Sequence, residues 1–317
     1  MGSIIPVLAG VVIIFVILRD VFHTLFHPSS RGAVSSQVVR LVWGAFRAVS
    51  RTKTERLSIA GPISLLTVIA LWAVAITVGW ALILWPFLPE GFMLSIGMDP
   101  QNNSGFRDAL YLSMVTIATL GYGDITPQDT WLRIISPLEA MLGFAIITAA
   151  ISWILSVNPV LTRRRRLARE VALLHENDHW KTMVESTGAD ITLGTILLSL
   201  TEQVISARTD YEHAPITYYF RQSDRSAAMD IALPRLAMIA DAASTHSSTA
   251  VRMQAELLRS AVHDLTHHIG QDYLDLPDAD AETIMQAYAD DQLRERSRLT
   301  HEAVSYTHLT LPTNREV

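Results

Sequence analysis

The residues whose types and spacing suggest chemistry are Thr119, Leu120, Gly121, Tyr122, Gly123 and Asp124, and the chemistry belongs to their backbone. Successive carbonyl oxygens turn toward one axis only if the chain alternates between right- and left-handed conformations. Gly121 and Gly123 enter the left-handed region without a Cβ penalty. Rings of such carbonyls from four chains replace the oxygen shell that a potassium ion loses on dehydration. Thr119 adds its hydroxyl at the inner end. Tyr122 is expected to point away and brace the strand against the preceding helix near Tyr111, with Asp124 behind the outer mouth.

Such a loop needs elements to hold it. Residues 106 to 118 have helical periodicity with a cap expected at Ser104, but ~13 residues make only about 20 Å of helix, too short to cross a bilayer. The segment therefore dips in and returns, and non-helical backbone at that depth is tolerated only where it is buried in protein or lines a water-filled path. On either side lie runs of the ~20 apolar residues that a crossing needs. One spans 57 to 88 and closes on Trp80, Trp85 and Pro86; the other spans 134 to 157, with Pro137 in its first turn. A third run, Ile4 to Leu18, continues past Arg19 and Asp20 to Phe26. The uncharged start of that run argues against a cleaved leader, so it is expected to remain as a transmembrane helix with its amino end outside.

The composition agrees with a membrane location: half of the 317 residues are apolar, and cysteine is absent, which excludes disulfide and thiolate chemistry. Orientation follows from the basic residues. Arg31, Arg40, Arg47, Arg51, Lys53 and Arg56 lie between the first two runs, and Arg163, Arg164, Arg165 and Arg166 follow the third, so three crossings put both clusters on the cytoplasmic side. The four consecutive arginines suit anionic lipid head groups or a plain stop-transfer anchor. Val38, Val42, Ala45 and Val49 share one helical face opposite Arg40, Arg47 and Arg51, the pattern of a helix lying at the interface. The acidic remainder speaks against nucleic acid as a partner.

The string 119 to 124, set between two spanning helices over residues 57 to 158, resembles the signature of pore-loop potassium channels. The resemblance implies filter roles for Thr119, Leu120, Gly121, Tyr122 and Gly123, with Asp124 closing the motif. Two positions depart from the family pattern: Leu120, where valine or isoleucine is commoner, and Val115, where some relatives place a glutamate that pairs with the aspartate. Tyr111 and Trp131 are the alternative partners for Asp124. Gly143 falls where the family's inner helix often has a hinge glycine, close packing being the other reading. Ile147, Ile151 and Leu155 resemble cavity-lining positions one turn apart. Glu139, an ionisable residue inside the third run, is either functional or a carboxylate near the outer interface.

Residues 167 to 303 read as helices: a segment around Leu167, Val171 and Leu174, then 191 to 208, 225 to 244, 248 to 274 and 279 to 301. Glycine occurs there only at 188, 194 and 270, which excludes a Gly-rich dinucleotide loop. His263, Asp264, His267, His268 and Asp272, and His175 with His179, have helical ligand spacing, but such groups are ordinarily solvated and no metal site is assigned to them. No spanning run carries arginine at every third position, so no voltage-sensor helix is expected.

The expected fold is thus an all-α membrane protein. Its parts are an N-terminal transmembrane helix (1–28), an amphipathic linker (29–56), a pore domain (57–160), a helical cytoplasmic domain (161–303) and a non-native tail (304–317). The expected function is passive potassium conduction in a homotetramer, with potassium as the permeant ion, no cofactor and no enzymatic reaction. A potassium transporter subunit and a membrane-anchored helical scaffold with a vestigial pore are the alternatives.

Overall fold

The computed structural model describes residues 4–26, 32–49, 54–99, 103–176, 178–186 and 188–292, with the side chains of residues 26, 54–56, 179 and 183 excepted. The tail from 304 onward, and with it Arg31, Arg51 and Lys53, lies outside them. In chain order the elements are α1 (Ile4–Phe26), α2 (Ala33–Val49), α3 (Ala60–Leu84), β1 (Phe92–Leu94), α4 (Phe106–Ile117), β2 (Ile125–Pro127) and α5 (Thr130–Glu176). The C-terminal helices follow as α6 (His179–Glu185), α7 (Asp190–His213), α8 (Met229–Ala243), α9 (Thr249–Tyr273) and α10 (Ala281–Asp291). The protein is nearly all α, and α1, α3 and α5 are each long and apolar enough to cross a membrane.

Helices in an apolar solvent associate through close packing rather than hydrophobic burial. Here α1 and α3 cross at two glycines: a Cβ on Gly10 would stand 2.3 Å from the carbonyl oxygen of Gly79. Trp72 of α3 then stacks on Trp153 of α5, with ring centroids 5.4 Å apart.

Between α1 and α3 in the chain lies α2, packed against both. The expected helix is present, but the face it buries carries Ser35, Val39 and Trp43, while Val49 stays 64% exposed. The reason is aromatic. Trp43 meets the edge of Tyr219, with centroids 5.5 Å apart, and its indole donates to Asp291 at 3.1 Å, so α2 rolls its tryptophan toward the C-terminal helices.

Helix α4 begins at Gly105 rather than on a Ser104 cap, and Asp108 reaches back to accept from the Gly105 N–H at 3.0 Å. Strands β1 and β2 pair antiparallel, Met93 opposite Thr126, and tie the loop before α4 to the loop after it. Three-residue strands carry too little periodicity to be seen in the sequence.

The third run forms part of a much longer helix. At 47 residues α5 extends about 70 Å and continues without a break into the C-terminal bundle. Because it starts at Thr130, Pro137 lies in its interior and not in its first turn, as does Pro159. In the bundle, α7 buries Leu193, Leu197, Leu200, Val204, Ala207 and Tyr211, and α9 buries Val251, Ala255, Leu258, Val262, Leu265 and Ile269. Both sets alternate steps of four and three, the seam of two helices packed in the manner of a coiled coil.

Candidate ion-conduction site

At its C-terminal end α4 hands the chain to residues 119 to 123, and the last turn is closed by Leu120 N–H donating to Val115 O at 2.9 Å. Beyond it, φ is +57° at Thr119, +55° at Gly121 and +76° at Gly123, whereas Leu120 and Tyr122 keep ordinary values. The backbone thus alternates in handedness over five residues. The sequence led to the expectation of two left-handed residues, both glycine; the structure adds Thr119, where a β-branched side chain makes the conformation cost about 1–3 kcal/mol. Among the described residues, none of the carbonyls of 119 to 123 accepts a backbone hydrogen bond. Unpaired carbonyls in such a row are acceptors for a ligand or for water.

The support behind the row is made by Tyr111, whose hydroxyl donates to Asp124 Oδ2 at 2.6 Å. Asp124 Oδ1 accepts from Ile125 N–H at 3.1 Å, and its carbonyl accepts from Ser95 N–H at 2.9 Å, next to the β1–β2 pair. Trp131, the other candidate, turns instead to Phe87, with centroids 4.6 Å apart. Tyr122 does not brace the strand within its own chain, because its ring is left 66% exposed.

Gly143 of α5 sits against the end of α4, where an added Cβ would lie 2.6 Å from Ile117 O. Close packing is thus one reason for a glycine here, and α5 continues through it as helix. Ile147, Ile151 and Leu155 share a face and are 50%, 53% and 68% exposed among the described residues. Glu139 is fully buried behind α4, beside Ser113, and does not reach an outer interface.

Residues 65–158 match the family model described as ion channel. The match covers under a third of the chain. A stretch of 54 residues is 41% identical to two-pore potassium channel 5 of Arabidopsis thaliana, a match covering 17% of this chain and 13% of that one. A longer match, 22% identical over 229 residues, covers 72% of this chain and 66% of the uncharacterized membrane protein YdjJ of Bacillus subtilis. The chain thus spans just under two thirds of one relative and a small part of the other. No solved structure matches.

After the channel segment, the four arginines divide. The Arg163 guanidinium grips Asp210 with two nitrogens, Nε at 3.0 Å from Oδ2 and Nη2 on Oδ1. Arg164 is buried, with its guanidinium carbon 4.1 Å from the centre of the Tyr211 ring and Nη1 donating to Thr217 O at 2.8 Å. Arg164 is therefore no lipid ligand, since the bundle encloses it; Arg165 and Arg166 remain exposed. The histidines do not gather either. His263 and His267 stack 4.5 Å apart while Asp264 pairs with Arg208 at 3.3 Å, and no group of three metal-ligating side chains forms among the described residues. The His179 side chain lies outside the described residues.

One residue near the channel segment had a sequence signal that went unused. Asp20 is buried in α1, and its carboxylate accepts from the backbone N–H groups of Val34 at 2.9 Å and Ser35 at 3.2 Å, the Ser35 hydroxyl, and Trp72 Nε1 at 2.9 Å. It caps α2 from another helix and pins it to α3. A carboxylate inside an apolar run is by itself a sign of partners elsewhere in the fold.

Proposed function

We propose that the chain is one subunit of a homotetrameric, potassium-selective channel, with Thr119, Leu120, Gly121, Tyr122 and Gly123 as the filter. The observation that carries this reading is the alternating handedness at 119, 121 and 123 together with five carbonyls that have no backbone donor among the described residues. Oxygen rings of this kind suit a large, weakly hydrated monovalent cation. A single chain offers one row, and a closed ring needs the row repeated about a symmetry axis. Fourfold repetition also gives the exposed face of Ile147, Ile151 and Leu155 a common cavity, apolar and able to gate by dewetting. The name of the plant relative supports potassium as the ion.

In this reading the amino end lies outside and the C-terminal bundle in the cytoplasm of a cell with the channel in its surface membrane, as the flanking arginines require. Opening is set by the bundle rather than by a voltage-sensing helix. Asp124 and Tyr111 hold the filter from behind.

Reconstitution tests it. Full-length protein in vesicles should pass current that reverses near the potassium equilibrium potential and ignores replacement of sodium by an impermeant cation. Gly121→Ala should insert normally and lose that selective current, because alanine resists φ near +55°. Equal sodium and potassium permeability in the wild type would overturn the proposal.

A further inference from the structure

Ser113 of α4 stands between two acceptors in the interior. Its hydroxyl oxygen is 2.9 Å from the Thr77 carbonyl oxygen of α3 and 2.6 Å from Glu139 Oε1 of α5. Ser113 and Glu139 are both completely buried. A hydroxyl has a single hydrogen to give, whereas a carboxylate and a carbonyl only accept. If Glu139 were ionised, one of these two short contacts would bring lone pair against lone pair. The negative charge would also have no cation beside it among the described residues, and Oε2 has no partner at all. A buried charge left in that condition costs several kcal/mol.

A proton on Glu139 resolves the geometry. Oε1–H donates to Ser113 Oγ, Ser113 donates its own hydrogen to Thr77 O, and both short contacts become hydrogen bonds. The Thr77 hydroxyl does not compete, since it donates to Ala73 O at 2.7 Å. We infer that Glu139 is a neutral carboxylic acid whose donated hydrogen bond, relayed through Ser113 to the Thr77 carbonyl, locks α5, α4 and α3 together behind residues 119–123. Ser113 lies less than two helical turns before Thr119, so the lock fixes the angle at which α4 presents the row of carbonyls. Glu139 is a positioning residue: it touches no ion. Its effect on conduction rests on the proposed channel function, whereas its protonation does not.

Infrared spectroscopy on the full-length chain in lipid at neutral pH reads the proton directly. The carbonyl band of a protonated acid is expected in the wild type, is expected to vanish in Glu139→Gln, and should shift in Ser113→Ala, where the donor loses its acceptor. Loss of a carboxylate band instead would overturn the inference. The lock is read by rescue. Glu139→Gln keeps a donor and should hold the wild-type thermal midpoint and potassium flux within about twofold, whereas Glu139→Leu should lower flux at least about tenfold, equivalent to 1.4 kcal/mol, and lower the midpoint. Leucine behaving like glutamine would overturn the positioning role. Ser113→Ala gives the same reading should Glu139→Leu not assemble. The band and the midpoint decide the matter whether or not the chain conducts, so a silent wild type counts against the channel reading alone.

Discussion

The Tyr111 hydroxyl and the Asp124 carboxylate, 2.6 Å apart, form a side-chain hydrogen bond between α4 and the chain that leaves the 119–123 row. Hydrogen bonds from a hydroxyl to a carboxylate are stronger than those between neutral groups. Tyr111→Phe and Asp124→Asn should therefore each lower thermal stability and sodium rejection. Combined, they should cost clearly less than the sum of the two, which a double-mutant cycle of unfolding midpoints and reversal potentials checks. How legible was this site? The glycines were, because Gly121 and Gly123 are the residue type that a left-handed backbone favours. Thr119 was not: nothing in a β-branched residue announces φ of +57°, which is imposed by its neighbours in the row. The choice between Tyr111 and Trp131 was also beyond the sequence, since it depends on how the loop closes through β1 and β2.

At the scale of elements, Asp20 does for α2 what a local cap ordinarily does. The carboxylate satisfies two backbone donors at the start of α2 and an indole of α3. Asp20→Ala should leave those donors unpaired and cost about 2 kcal/mol, seen as a lower thermal midpoint in detergent. Asp20→Asn retains an acceptor and should fall in between. The existence of the long helices was legible, because spanning runs and four–three seams are long, repetitive signals, whereas the seven-residue α6 was missed. Facing was less so. Periodicity marked the face of Val38, Val42, Ala45 and Val49 on α2, and the position of Tyr219 and Asp291, far along the chain, selects the one with Trp43 instead. The ends of α5 were misjudged for a related reason: hydropathy falls where the bilayer stops, but nothing there stops a helix.

For the whole molecule, α5 joins the channel-like segment to the bundle, and Asp291 of α10, held by Tyr218, joins the bundle back to α2 through Trp43 and Arg47. Removing residues 170 to 303 should thus change open probability while leaving the reversal potential where it was, as single-channel recording would register. Burial pushes the Asp291 carboxyl above the usual carboxylate range, its bonds to Tyr218, Arg47 and Trp43 opposing that rise. A raised value means that the folded protein holds this proton more tightly than the unfolded chain. Its contribution is therefore full below the ordinary value of ~3.9 and is lost as pH climbs through the raised one. Unfolding midpoints measured upward from about pH 4 should fall less steeply in Asp291→Asn than in the wild type. Such closure of the chain on itself, from α10 to α2, was invisible in the sequence, since the joined residues lie more than 240 positions apart. Asp20 adds a matter of timing. Its donors lie 14, 15 and 52 residues downstream, so at ~5–20 residues per second the last of them leaves the ribosome some 3–10 s after it does. Until Trp72 arrives, the newborn first helix holds a carboxylate that the bilayer disfavours. Packing of α3 against α1 therefore completes the set of donors that this carboxylate needs.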